Sequence, residues 1–162
     1  MRKILITAFA IAMAISPVTY GEGASPQPNT RARPATAIAQ QNMNTLKIRL
    51  TVNGKTVIAT LADNPTARDF HSLLPLTLTL DDYAATEKIS YLPRKLFKDG
   101  APAGIDPSVG DIAYYAPWGN LAIFYKDFGY SNGLIKLGTI DSGLEALKVT
   151  GSVKVRIESI GD

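Results

Sequence analysis

Two stretches, LKIRLTV (Leu46 to Val52) and KTVIATL (Lys55 to Leu61), alternate apolar and polar residues at period two, and only Asn53-Gly54 separates them. A period of two belongs to a strand with one buried face. Asn-Gly is the favoured pair for a two-residue hairpin turn, in which both central residues take positive φ. The folded part of this chain is thereby committed to antiparallel sheet from its first residues.

The rest of the chain extends that unit. In DNPTARDFHSLLP, Asp63 or Asn64 can cap a helix and Pro65 suits its first turn. Ala67, Phe70, Leu73 and Leu74 then fall at helical spacing, and Pro75 closes the segment. LTLTLDD and EKISYLP read as strands. A long loop follows between Phe97 and Gly110, and DIAYYA and NLAIFYK are strands joined around Pro117-Trp118-Gly119. LIKLGTI is a short strand, SGLEALK a short helix capped by Ser142, and SVKVRIESI a last strand. The expected fold is mainly β, about eight strands and two short helices, with turns at the spacing of a sandwich or barrel.

This domain spans 44–162. Before it, Met1-Arg2-Lys3 and the uncharged run Ile4 to Ile15 have the layout of a secretory signal peptide over 1–23, too short to span a bilayer stably. A buried N-terminal helix or an interfacial anchor is the alternative. Residues 24–43, rich in Pro, Ala and Gln, read as a flexible linker or a Pro-x-Pro ligand. The expected location is the periplasm or the medium, with no stable membrane span after cleavage.

The net charge of +3 comes from the leader and linker. From Asn44 onward thirteen basic residues face thirteen acidic ones, and no basic cluster with interleaved aromatics supports nucleic-acid binding. The chain has no cysteine and one histidine, which removes disulfides, thiolate chemistry and the usual metal sets. His71 and Ser72 are adjacent and cannot face each other on a helix. No catalytic residue, metal site or cofactor motif is assigned, and the sequence does not indicate an oligomeric state.

Short stretches carry a family likeness. PTARDFHSLL (Pro65 to Leu74) resembles the first cyclophilin helix, LGTIDSGLEALK resembles a cyclophilin strand–turn–helix, and GDIAYYA sits where cyclophilins carry a Gly-x-Leu-Ser-Met-Ala strand. Thr45 to Glu158 is similar, more closely, to a bacterial cyclophilin-like family through NPTARDF, YLPRKL, YYAPWGNLAIFYKDFGYS and LGTIDSGLEAL. The resemblance implies a cyclophilin-like closed β-barrel. It also implies prolyl isomerase activity, but the residues depart from it. Ser90 stands at the catalytic Arg position, and NLAIFY offers Leu121 and Ile123 where cyclophilins carry Gln-Phe-Phe.

Seven of the thirteen aromatic residues lie between Gly110 and Ser131. With Ile112, Tyr114, Ala122 and Phe124 filling the barrel, Tyr115, Leu121, Ile123 and Tyr125 are expected on a groove face. The candidate ligand-binding set is Ser90, Arg94, Tyr115, Trp118, Asn120, Tyr125 and Tyr130. The expected role is binding a small molecule or peptide through an aromatic groove; the alternative is a prolyl isomerase with a degenerate site.

Overall fold

In the computed structural model, which describes residues 45–161, the first hairpin forms as its alternation requires. β1 (Lys47–Val52) and β2 (Lys55–Leu61) pair antiparallel from Lys47↔Thr60 to Val52↔Lys55. Asn53 and Gly54 turn between them with φ of 48° and 74°. Ile48, Leu50, Val52, Val57, Ala59 and Leu61 enter one apolar interior. The leader and linker expected over 1–23 and 24–43 lie outside the described residues.

Helix α1 (Pro65–His71) starts as expected, with Asn64 Oδ1 accepting the Ala67 N–H at 2.8 Å and Pro65 in its first turn. Ala67 and Phe70 join the core, while Leu73 and Leu74 lie beyond the helix end. The strands that follow are β3 (Leu76–Tyr83), β4 (Glu87–Tyr91), β6 (Asp111–Tyr115), β7 (Asn120–Phe124), β9 (Leu134–Ser142) and β10 (Val153–Ile160). With β1 and β2 they close an antiparallel barrel in the order β1-β10-β3-β4-β7-β6-β9-β2. Two further pieces, β5 (Gly104–Ile105) and β8 (Ser131–Asn132), pair outside the barrel and pin the long loop.

The second expected helix is a single 3-10 turn, Leu144–Leu147. Ser142 does not cap it: Ser142 ends β9, and Gly143, with φ of 87°, holds the cap position without a side-chain hydrogen bond. Four residues suffice to bury Ala146 and Leu147, so a longer helix has no further apolar face to place.

Closure depends on close backbone approach at Gly138. Between β6 and β9 the register slips at Ile112/Ala113, so that Ile112 faces Gly138 and Ala113 faces Lys136. Leu137 is the extra residue and is fully buried in the barrel, as a β-bulge permits. A Cβ on Gly138 would sit 2.5 Å from the Thr60 carbonyl oxygen on β2. The Gly138→Ala variant is therefore expected to lose about 1–3 kcal/mol of stability, the usual cost of overpacking. A urea midpoint unchanged from the parent would contradict this account of the β2–β9 seam.

Candidate functional site

Residues directly opposite each other across an antiparallel ladder point to the same face of the sheet. The register pairs Ile112 with Ile123 and Tyr114 with Leu121, and all four are buried in the barrel. Ala113 pairs with Ala122 and Tyr115 with Asn120, on the outer face. The expected phase of β7 was therefore one residue out: Leu121 and Ile123 fill the barrel, and Ala122 and Phe124 face outward. The connection sets this. Tyr115 and Asn120 close the turn as an opposed pair, so Leu121 must follow Tyr114 inward. On β6, Ile112 and Tyr114 lie inside and Tyr115 outside, in the expected phase.

The outer face of β4 follows by the same rule. Ile89 faces Ala122 and Glu87 faces Phe124, while Tyr83 of β3 faces Glu87. A second small apolar cluster forms here, from Ala113, Ala122, Phe124 and Leu134, with Ile89, Ile105 and Tyr115 against it. Trp118, from the β6–β7 turn, and Phe128 and Ser131, after β7, complete an open cavity of about 170 Å³. Trp118 stands edge-on to two rings, Tyr115 at 5.4 Å and 79° and Tyr83 at 5.6 Å and 89°. Phe124 and Phe128 pack at 6.2 Å. Trp118 is 46% exposed, so it rims the cavity without sealing it.

An amide and a carboxylate belong to this surface. Asn120 is only 2% exposed; its Nδ2 donates to the Leu121 carbonyl at 3.2 Å, and its Oδ1 is buried with no partner. Glu87 is half-buried, and desolvation pushes its carboxyl from an ordinary 4.5 up to about 7. Among the described residues no cation pairs with it. Its chain neighbour Lys88 points the opposite way, fully buried, and spends its three N–H donors on Asp82 Oδ1 at 2.8 Å and on the Val149 and Gly151 carbonyls at 2.6 Å each. Lys88, and then the Gly151 N–H, hold the Asp82 carboxyl below its usual range.

Of the seven candidate residues, Tyr115, Trp118 and Asn120 come together in the groove. The other four do not join them. Ser90 pairs with Leu121 and so lies on the barrel side of β4. Arg94 is held by Asp69 through two hydrogen bonds, at 2.6 and 2.8 Å, and staples the β4–β5 loop to α1. Tyr125 lies on the face opposite Phe124, and its hydroxyl donates to Asp82 Oδ1 at 3.2 Å. Tyr130, 62% exposed, reaches over Gly104 instead.

Tyr83, Glu87 and Phe124 were missing from that set. Tyr83 continues the outward side of the LTLTLDDY alternation, which was the available signal. Glu87 had none, because a glutamate at a strand start reads as solvated. Phe128 reads in sequence only as an aromatic in the loop after NLAIFYK.

His71 Nε2 lies 2.9 Å from Ser159 Oγ, but neither residue lines the groove, and no third group among the described residues bonds to the ring. Nor do three His, Asp or Glu side chains converge there as a metal site. No helix among them is long and apolar enough to cross a membrane.

A family model described as the cyclophilin-like family matches residues 50–158. The solution structure of a hypothetical protein from Archaeoglobus fulgidus is similar to 70% of this chain and 94% of its own, with a TM-score of 0.53 and 18% identity. At that identity the likeness shows the fold alone. No curated protein matches the chain.

Two outcomes are expected from this geometry. Between pH 4.5 and about 7 the folded protein holds a proton on Glu87 that the unfolded chain has released, so stability falls as pH rises through that window. Glu87→Gln removes the slope. Because the carboxyl is partly solvated, the variant should gain only about 1–2 kcal/mol over the parent at pH 8 and nothing at pH 4. Urea titrations at the two pH values measure this, and equal stabilities at pH 8 would contradict it.

Arg94→Ala should cost about 0.5–1 kcal/mol, the scale of an exposed pair, and leave the groove intact. The Asp69 carboxyl, held down at about 2 chiefly by Arg94, contributes stability above its ordinary 3.8 that is lost as pH falls through 2. In Arg94→Ala that acid-limb loss should shrink, and an unaltered limb in acid titration would exclude the staple.

Proposed function

The chain belongs to the cyclophilin-like family, and on that premise we propose that it is an exported binding module whose outer groove holds a small molecule or a peptide side chain. One observation carries the reading: five aromatic residues line a cavity together with Asn120, whose buried Oδ1 has no partner. Buried polar atoms in native proteins are nearly always paired. Pockets built to bind are largely apolar, with a few convergent polar groups. Export is proposed from the leader-like residues 1–23. The balanced charge of the domain supports a small or peptidic partner over nucleic acid.

Prolyl isomerisation is the weaker reading. Lowering the double-bond character of an X–Pro bond calls for a cation near the twisting amide. The charged side chain lining this groove is a carboxylate, Glu87. Arg94 is engaged with Asp69, and Lys95 borders a different cavity.

Trp118 is the only tryptophan in the chain, so its emission tests the reading directly. Titration against a library of metabolites and short peptides should shift or quench it with at least one compound, and Trp118→Ala should weaken that compound in calorimetry by about tenfold or more. No response from any compound would sink the proposal. In a protease-coupled assay on an Ala-Pro peptide, no rate above the uncatalysed tens of seconds is expected; a clear acceleration would reverse the ranking of the two readings.

A further inference from the structure

Of the polar groups lining the groove, the Glu87 carboxylate and Asn120 Oδ1 are acceptors that cannot donate, and neither has a partner among the described residues. Asn120 Oδ1 is buried and accepts nothing, since its own amide nitrogen is turned to the Leu121 carbonyl. The Glu87 carboxyl meets neither a cation nor an N–H among the described residues. Each bears the desolvation penalty of an unpaired acceptor, and a ligand bringing donors to both would remove it.

Their spacing says how many donors are needed. Glu87 lies opposite Phe124, and Asn120 stands four residues earlier on the same strand. At about 3.3 Å per residue, roughly 13 Å of strand separates the two ends, too far for one ammonium group to serve both. Between them the floor is Ile89 and Ala122, and above it stands Trp118, flanked by Tyr83 and Tyr115. Ring faces attract cations, and no Lys or Arg lines the groove to compete for Glu87. The cavity, about 170 Å³, compares with the ~150 Å³ that accommodates one benzene ring.

We propose that the groove binds a small primary amine, its ammonium at the Glu87 end, a second hydrogen-bond donor at the Asn120 end, and an apolar body between. This deepens the binding reading above and rests on it. The ammonium can come from a free amine or from a lysine side chain of a peptide, and the two present the same chemistry to Glu87.

Three probes of one shape separate the contributions. Tyramine carries an ammonium and a phenol donor at opposite ends of one ring, 4-ethylphenol lacks the ammonium, and phenethylamine lacks the phenol. Calorimetry at pH 8 should show tyramine roughly tenfold or more tighter than 4-ethylphenol, as a charge-assisted bond provides, and a few-fold tighter than phenethylamine. In Glu87→Gln, checked for folding by circular dichroism, the advantage over 4-ethylphenol should shrink to about twofold or less once the charge is gone. A blocked Gly-Lys-Gly peptide binding more tightly than phenethylamine assigns the ammonium to a peptide, and weaker binding assigns it to a free amine.

Equal affinity for tyramine and 4-ethylphenol, or an advantage that survives Glu87→Gln, overturns the amine proposal and leaves the groove a binding site. Silence from all three probes while other library compounds move Trp118 emission does the same. Silence from the probes and the whole library removes both readings.

Discussion

Antiparallel closure is the constraint on which the rest of this structure depends. Each of the eight barrel strands is hydrogen-bonded on both sides, so no edge is left to slide and each strand must present a consistent inward face. Facing pairs then inherit one another's side around the ring. Tyr114 and Leu121 point in together, and the Tyr114 hydroxyl satisfies itself inside by accepting the Leu96 N–H at 3.1 Å. The outward residues Tyr115, Asn120, Ala122 and Phe124 are what remains. The groove is the outer half of a decision made for the core.

That outer half is not left to solvent, because the long loop is tied down over part of it. Ile105 packs on the outer cluster, and the β5–β8 pair fixes it there. The end of the loop is secured by Asp111, which is buried, ion-paired with Lys136 at 2.7 Å, and accepts from the Ser108 N–H and the Thr139 hydroxyl at 3.1 Å each. Asp111, the first residue of β6, is thus the anchor of a cover. Loops carry function when a rigid scaffold places them; this one covers the outer cluster through Ile105, while the cavity beside it is lined by the strands and by Trp118, Phe128 and Ser131.

What could be read from the sequence follows from how local each signal is. The Asn53-Gly54 hairpin, the Asn64–Pro65 helix start and the alternation of β10 are set by neighbours along the chain, and each formed as expected. The phase of β7 was not local. It turns on whether Tyr115 faces Asn120 or Leu121 across the turn, and an offset of one exchanges core for groove. Arg94 shows a different difficulty: its partner Asp69 lies on a helix that precedes it by 25 residues, and nothing in YLPRKL announces that pairing. Glu87 was hardest, because its character comes from desolvation by strands and loops remote in sequence.

Glu87 and Lys88 are consecutive, yet one carries a lone carboxylate to the outside of the barrel wall and the other an ammonium to its fully enclosed side. The wall is thus a two-sided inscription in which a single letter decides polarity. One residue inserted or deleted in the Ala84-Ala85 turn would transpose them, setting a cation in the groove and an unmatched acid against Ile123. Inheritance through this hairpin should accordingly tolerate changes of letter far better than changes of length, and lineages descended from such a chain should vary in length within Lys98–Pro102, the part of the long loop ahead of the β5–β8 pair, where no ladder counts residues.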